Sequence, residues 1–249
     1  MMNRRHFTMS SLAVGAAAVF DSNRTSAAEE SRTLKQRVHA GEDLRIVRAP
    51  TNSTRSQLEE IVKKHSSVDL FKVDGQHGPV HERELLKFCT MAEELGAGVK
   101  FRIKHPRQAF LLGNYADLGP LSLMVPLVER EETVRDAIDA FYYPPVGKRS
   151  WGGQGFRRKE QYGRGRLEYA KWWNSNAVLC IQIESVAAAV NVRSLVKPGV
   201  DWVQFGPADL SFDLEKHSHS PFKSVDETVE YVTEQLKDVA VRVGGPLVF

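Results

Sequence analysis

The sequence predicts an α/β fold, in which a parallel sheet alternates with helices along one domain. Short runs of β-branched and apolar residues alternate with stretches that carry apolar residues at helical spacing. The chain has 249 residues, of which 42% are hydrophobic and 26% charged, and this balance is typical of a globular protein. No internal repeat or Pro/Ser-rich linker divides it, so we expect a single core.

Each element rests on its own periodicity. The seven predicted strands are residues 44–47, 68–73, 98–102, 121–125, 177–183, 200–205 and 246–249. The predicted helices are residues 56–64, 81–95, 107–115, 131–141, 186–195 and 225–241. The helix at 81–95 shows the pattern clearly, because it is followed by Gly96, a common helix stop.

A doubly wound sheet and a (β/α)8 barrel both fit this alternation. Four of the predicted strands run directly into ionisable residues: Asp74 with His77, then Arg102, Glu184 and Asp209. In a (β/α)8 barrel the carboxyl ends of the strands converge on one mouth, where active sites lie. The positions of the polar residues therefore favour a TIM-type barrel.

The residue types at these strand ends point to one chemistry. Two carboxylates, Glu184 and Asp209, suit a hard divalent cation. Arg102 offers a fixed positive charge for an oxyanion, and His77 offers a proton acceptor near neutral pH. Taken singly, each group could instead cap a helix or pair with a neighbour. Together they predict metal-assisted enolisation of a small oxo acid.

The first 28 residues predict an export signal. Arg4, Arg5 and Phe7 precede a short apolar stretch rich in alanine, and Ala27-Ala28 offers a small-residue cleavage site. The arginine pair is similar to a twin-arginine signal, so we expect a periplasmic or extracellular protein. An amphipathic first helix is the alternative. Residues 29–249 then form the barrel domain.

Charge and composition exclude several other classes. The formal net charge is +3, too balanced for a protein built mainly to hold nucleic acid. No apolar run reaches the roughly 18–20 residues that a membrane-spanning helix needs. Two cysteines cannot form a disulfide scaffold. We therefore expect a small-molecule substrate, with no nucleic acid and no membrane span.

Four motifs occur in a characteristic order. They are Asp74-Gly-Gln-His-Gly-Pro79, Tyr143-Pro-Pro-Val-Gly-Lys-Arg149, Gln182-Ile-Glu184 and Gly206-Pro-Ala-Asp-Leu-Ser211. With these motifs the chain resembles the HpcH/HpaI aldolase family of metal-dependent pyruvate aldolases, which are themselves similar to citrate lyase β subunits. The resemblance implies a (β/α)8 barrel that cleaves 4-hydroxy-2-oxo acids into pyruvate, or a close 2-oxo acid, and an aldehyde.

The resemblance also implies roles for individual residues. Glu184 and Asp209 match the ligands of a divalent cation such as Mg²⁺, Mn²⁺ or Co²⁺. Arg102 matches the arginine that stabilises the enolate oxygen. His77 matches the histidine that moves the proton of the aldol hydroxyl. Asp117 matches, with a one-residue gap, the acidic partner that orients this histidine.

Further matches concern substrate binding. The backbone of Gly206, Pro207 and Ala208 would hold the substrate carboxylate, and Gln182 would lie beside the metal. Lys72 and Lys104 lie near strand ends, but neither matches a nucleophile of the family. This favours the metal-dependent route over a lysine Schiff base.

Two departures from the family pattern affect these expectations. Gln76 stands where the family usually has Glu, which alters the surroundings of the site. Residues 246–249 match the seventh family strand, so we expect a barrel domain that is incomplete at its C-terminus and lacks the eighth strand and the C-terminal helices. Family members form hexamers through those elements, which leaves a homo-oligomer possible here but doubtful.

Three functional hypotheses follow. The leading one is an exported, divalent-metal-dependent carbon–carbon lyase acting on a 4-hydroxy-2-oxo acid. The second is a catalytically impaired or non-catalytic member that binds sugar acids or oxo acids. The third is a CoA-ester lyase of the citrate lyase β type, although the sequence shows no additional basic pocket for CoA.

Overall fold

Seven parallel strands form one sheet in sequential order in the computed structural model, which describes residues 32–152 and 165–245. The strands are β1 (Ile46–Arg48), β2 (Leu70–Asp74), β3 (Gly98–Arg102), β4 (Ser122–Val125), β5 (Val178–Ile183), β6 (Trp202–Phe205) and β7 (Arg242–Val243). Each pairs with the next in parallel. The predicted fold class is confirmed as a seven-stranded parallel half-barrel with helices.

The helices lie between the strands, as a parallel sheet requires. They are α1 (Leu34–His39), α2 (Arg55–His65), α3 (Glu82–Glu94), α4 (Leu112–Asp117), α5 (Glu131–Phe141), α6 (Arg166–Asn176), α7 (Val186–Val190), α8 (Val192–Leu195), α9 (Pro207–Lys216) and α10 (Val225–Leu236). A 3-10 helix, Pro106–Leu111, leads into α4. Thr33 and Thr54 begin α1 and α2 with capping boxes.

The two faces of the sheet differ in chemistry because side chains alternate along each strand. The outer face carries apolar residues such as Phe71, Phe101 and Ile181, which pack with the helices into the main core. The inner face carries a smaller apolar cluster, including Leu70 and Trp202. Polar residues on this inner face occupy the positions above that cluster, towards the carboxyl ends of the strands.

The last strand of the described residues, β7, was not predicted. It comprises Arg242–Val243 and follows α10, which ends at Leu236 and not at residue 241 as predicted. The predicted strand at 246–249 and the export signal at 1–28 both lie outside the described residues. Helices α1, α6 and α9 were not predicted.

The sheet is open within the described part of the chain: β1 pairs with β2 alone and β7 with β6 alone. Arg242 partly bridges these edges, since its Nη1 donates to the carbonyl of Glu42 at 2.6 Å. None of the helices in residues 32–152 and 165–245 is long and apolar enough to cross a membrane.

Candidate active site

A cavity of about 460 Å³ opens at the carboxyl ends of the strands. Eight of the nine residues to which the family resemblance assigns a role line it: His77, Arg102, Gln182, Glu184, Gly206, Pro207, Ala208 and Asp209. The parallel register explains this convergence, because it aligns the strand ends at one edge of the sheet. The structure therefore brings together nearly all of the predicted site.

Glu184, the residue that follows β5, is the most deeply buried carboxylate of this cavity, with 3% of the residue exposed. Its Oε2 accepts a hydrogen bond from the backbone N–H of Leu127 at 2.7 Å. Its Oε1 is buried and has no hydrogen-bond partner among the described residues. A buried carboxylate oxygen left in this state is costly unless a proton or a cation meets it.

Burial raises the pKa of Glu184 to about 7, because desolvation penalises the charged carboxylate. The Leu127 N–H and the Arg102 charge oppose this shift, and the neighbouring Asp209 carboxyl adds to it. A raised pKa combined with an orphaned oxygen is typical of a functional carboxylate.

Asp209 lies in the first turn of α9, which was not predicted as a helix. This placement favours an anionic side chain because the first turn carries partial positive charge. Asp209 is exposed where Glu184 is buried, so the pair offers carboxylate oxygens from two sides. No cluster of three or more His, Cys, Asp or Glu side chains suited to a metal ion occurs in the described residues.

Arg102 ends β3 with its guanidinium buried and fixed by Asp74. Its Nε donates to Asp74 Oδ1 at 2.8 Å and its Nη2 to Asp74 Oδ2, which makes a bidentate pair. Its Nη1 lies 3.3 Å from Gln182 Oε1 and 4.0 Å from Glu184 Oε1. Arg102 thus presents one nitrogen to the cavity in a fixed orientation.

The pKa of Asp74 reflects the strength of its ion pair with Arg102. Burial alone would raise the pKa of its carboxyl, but the Arg102 hydrogen bonds and charge, with the backbone N–H groups of Gln76 and His77, lower it below its usual value. The sequence placed Asp74 at the site and did not identify it as the partner of Arg102. The strand register identifies the pair, since Asp74 and Arg102 are direct neighbours on β2 and β3.

His77 is exposed on the loop after β2. It also lines a second hollow of about 480 Å³ beside the first, together with Thr51, Asp74 and Glu84. The loop turns tightly: a Cβ on Gly78 would lie 2.6 Å from the carbonyl oxygen of Asp74. His77 therefore stands between the cavity and the adjacent hollow.

The structure does not place Asp117 in this cavity. Its carboxylate pairs with the buried Arg149, whose guanidinium lies 4.3 Å from the Trp173 ring and 4.8 Å from the Tyr143 ring. Asp117 borders a different hollow with Phe110 and Gly113. Among the described residues, His77 and Asp117 therefore line different hollows.

The sequence analysis also missed several residues that line the cavity, and it assigned no role to another. Lys100 was not considered, and Lys72 was set aside; both line the cavity. Strand alternation could have found them, because Lys72 precedes Asp74 by two residues and Lys100 precedes Arg102 by two.

Comparison with known proteins gives consistent results. The family model of HpcH/HpaI aldolase/citrate lyase matches residues 51–243. A 2-keto-3-deoxy-L-rhamnonate aldolase of Klebsiella pneumoniae is 28% identical over 194 residues, which cover 78% of this chain and 71% of the relative. A 2-dehydro-3,6-dideoxy-6-sulfogluconate aldolase of Pseudomonas putida is 33% identical over 148 residues, which cover 59% of this chain and 56% of that one.

The same family appears among solved structures. The crystal structure of an HpcH/HpaI aldolase from Desulfitobacterium hafniense superposes with a TM-score of 0.70 at 26% identity. The superposition covers 86% of this chain and 82% of that structure.

Proposed function

Because the chain belongs to the HpcH/HpaI aldolase/citrate lyase family, we propose that it is a carbon–carbon lyase that performs a metal-dependent retro-aldol cleavage. The substrate is a 4-hydroxy-2-oxo acid, and the products are pyruvate, or a close 2-oxo acid, and an aldehyde. The observation that carries this proposal is the buried Glu184 Oε1, which lies 4.0 Å from Arg102 Nη1 and has no hydrogen-bond partner in the part of the chain that the structure describes.

The residues fit a hard divalent cation such as Mg²⁺, Mn²⁺ or Co²⁺. Glu184 supplies an orphaned carboxylate oxygen, and Asp209 supplies a second carboxylate from the start of α9. Gly206 leaves space beside Glu184, where a Cβ would lie 1.9 Å from Oε1. Oxygen donors with open positions are what such cations take. When bound, the cation would polarise the 2-oxo group and stabilise the negative charge that develops on its oxygen.

Arg102 supplies a second source of stabilisation for that charge. Its Nη1 lies 3.3 Å from Gln182 Oε1 and 4.0 Å from Glu184 Oε1, while Asp74 holds the rest of the guanidinium. A donor already oriented towards the developing oxyanion needs no rearrangement during the reaction.

The substrate carboxylate binds the start of α9. Of the expected backbone donors, the Gly206 N–H already bonds the carbonyl of Ile183 at 3.1 Å, and Pro207 has no N–H. The N–H groups of Ala208 and Asp209, in the first turn, are therefore the ones that can receive the carboxylate.

His77 removes the proton from the 4-hydroxyl group of the substrate. As the hydroxyl becomes the aldehyde carbonyl, the bond between C3 and C4 breaks and its electron pair remains on the 2-oxo acid as an enolate. The enolate then takes a proton at C3, and His77 returns its own proton to solvent. The exposure of His77 allows that exchange.

A panel of 4-hydroxy-2-oxo acids tests the proposal. The full chain is assayed for release of a 2-oxo acid in EDTA and then with added Mg²⁺ or Mn²⁺. We expect turnover only with the cation, and a loss on the order of 100-fold in Glu184→Gln. Glu60→Gln, on the exposed face of α2, is the matched control and should be unchanged. Binding of these acids without any turnover would favour the non-catalytic alternative.

A further inference from the structure

Three basic residues form a row across the inner face of the first three strands. In the parallel register Arg48 pairs with Lys72, and Lys72 pairs with Lys100. All three line the cavity that holds Glu184 and Arg102. Residues in direct register on neighbouring strands point to the same face, so their positive charges lie side by side.

Within the described residues, Arg48 alone of this row forms an ion pair with an acidic side chain. Neither Lys72 nor Lys100 forms an ion pair with a described residue, and Lys72 donates no hydrogen bond to one. The Nζ of Lys100 lies 2.6 Å from Gln204 Oε1, 3.6 Å from Cys180 Sγ and 3.8 Å from the Trp202 ring centroid. Burial raises the pKa of the Cys180 thiol, which favours its neutral form. Arg48 reaches Asp74 only at 4.0 Å, and that carboxylate is already held by Arg102.

Burial makes this imbalance expensive. Lys100 is 1% exposed, and burial lowers the pKa of its ammonium because a buried charge is unfavourable. Burial and the positive charges of Lys100, Arg102 and Arg48 lower the pKa of Lys72 to about 8. An anion bound against the row would lower the free-energy cost of burying these positive charges. No described side chain supplies such an anion to Lys72 or Lys100.

The row lies at a defined depth below the reaction centre. Lys72 and Lys100 precede Asp74 and Arg102 by two residues on their strands, a rise of about 6.6 Å. A 2-oxo group near Arg102 would therefore place the third or fourth carbon after it near the row. That span matches the second carboxylate of a short dicarboxylic 2-oxo acid.

We propose that Lys72 and Lys100, flanked by Arg48, bind a second anionic group carried by the 2-oxo acid half of the substrate. This inference rests on the proposed function and narrows its substrate class. The released 2-oxo acid is a short diacid, with one carboxylate at the start of α9 and the other at the row. The aldehyde half lies on the opposite side, towards His77.

Two stable probes of equal chain length isolate the contribution of the second carboxylate to binding. 2-Oxoglutarate carries the second carboxylate, and 2-oxopentanoate carries a methyl group in its place. Calorimetry measures the binding of each to the full chain at a fixed Mg²⁺ concentration. We expect the wild type to bind 2-oxoglutarate at least about tenfold more tightly, and this comparison needs no variant.

Substitutions then locate the difference. Lys72→Met should bring the two affinities together, whereas Lys72→Arg keeps the charge and should preserve the preference. Lys87→Met, which removes a lysine from the exposed face of α3, controls for net charge and should behave as the wild type. A preference that survives Lys72→Met in a folded protein would overturn the proposal.

Three further outcomes test the anion site. Equal affinities in the wild type would overturn it, including the case in which inorganic phosphate binds the row and neither probe discriminates. Trapping of 2-oxoglutarate on Lys72 by borohydride would overturn it too, because Lys72 would then be a nucleophile. Because binding is measured without turnover, a preference for 2-oxoglutarate in a chain that cleaves no 4-hydroxy-2-oxo acid would reject the proposed function and leave the anion site standing.

Discussion

The α-carbon of Gly206 packs directly against the carboxylate of Glu184. A Cβ at residue 206 would lie 1.9 Å from Glu184 Oε1 and 2.7 Å from its Cγ and Cδ. The backbone φ of Gly206 is −107°, which any residue can adopt, so the requirement for glycine here is steric and concerns the position of one carboxylate.

Gly206→Ala should therefore displace Glu184 without unfolding the chain. We expect cation affinity to fall on the order of tenfold or more, because one of two ligands leaves its position. Calorimetric titration with Mn²⁺ measures this loss, and circular dichroism verifies the fold. Gly152→Ala, where a Cβ would meet nothing within 4 Å, is the matched control. Unchanged Mn²⁺ affinity in Gly206→Ala would contradict the assigned ligand.

Glu184→Gln should stabilise the metal-free protein at alkaline pH. The folded-state pKa of Glu184 is raised to about 7, so the unfolded chain ionises first as pH rises from about 4.5. The resulting penalty on the folded state grows across this window and reaches roughly 3 kcal/mol above pH 7.

Urea unfolding in EDTA at pH 5 and pH 8 tests this dependence. The variant should gain stability over the wild type mainly at the higher pH, and added Mg²⁺ should stabilise the wild type alone. A stability difference that is the same at both pH values would show that Glu184 is not desolvated as described.

Arg102→Lys should reduce turnover while leaving the cation in place. A lysine cannot form the bidentate pair with Asp74 and also donate towards Gln182 and Glu184, as Arg102 does. We expect kcat to fall by roughly 10²–10³-fold with Mn²⁺ affinity within a few-fold of the wild type. Loss of both quantities together would indicate that Arg102 mainly supports the cation site.

Tyr142→Phe should affect stability and not catalysis. Tyr142 donates to Asp201 at the amino ends of β5 and β6, where His39 Nε2 lies 2.9 Å from the same carboxylate and the Leu179 N–H donates to it at 2.9 Å. Removing the hydroxyl from this buried network should cost about 1–3 kcal/mol.

Thermal unfolding and the 2-oxo acid release assay together test that separation. Tyr231→Phe is the control, because Tyr231 packs on Phe222 at a centroid distance of 4.9 Å and lies in α10. A specific loss of kcat in folded Tyr142→Phe would mean that the two ends of the barrel are coupled.

The strand ends were predictable because each combines two local signals, an apolar run and an ionisable residue that ends it. The apolar run of β3 stops at Arg102, and its predicted bounds match the observed ones. The same reasoning located Glu184 after β5, since a buried strand rarely ends in a carboxylate without a reason. Parallel pairing then gathers these ends at one edge, which needs no knowledge of side-chain contacts.

What the sequence could not provide is the pairing across strands. Asp74 with Arg102 and Arg48 with Lys72 follow from register, and register depends on packing distant in the chain. Asp117 was assigned by motif alignment with a gap, and its ion pair with Arg149 joins residues 32 positions apart in the chain. Strand β7 was missed because two residues, Arg242–Val243, carry too short a pattern to detect.

Exchange of the C3 protons of pyruvate and of 2-oxoglutarate with deuterium, followed by NMR, measures the proposed enolisation itself. Enolisation requires no aldehyde, so the experiment does not depend on knowing the full substrate. We expect exchange by the wild type with Mg²⁺, none above buffer in EDTA, and a loss on the order of 100-fold in Glu184→Gln. Exchange no faster than buffer in the wild type with Mg²⁺, or undiminished in Glu184→Gln, would contradict the proposed function.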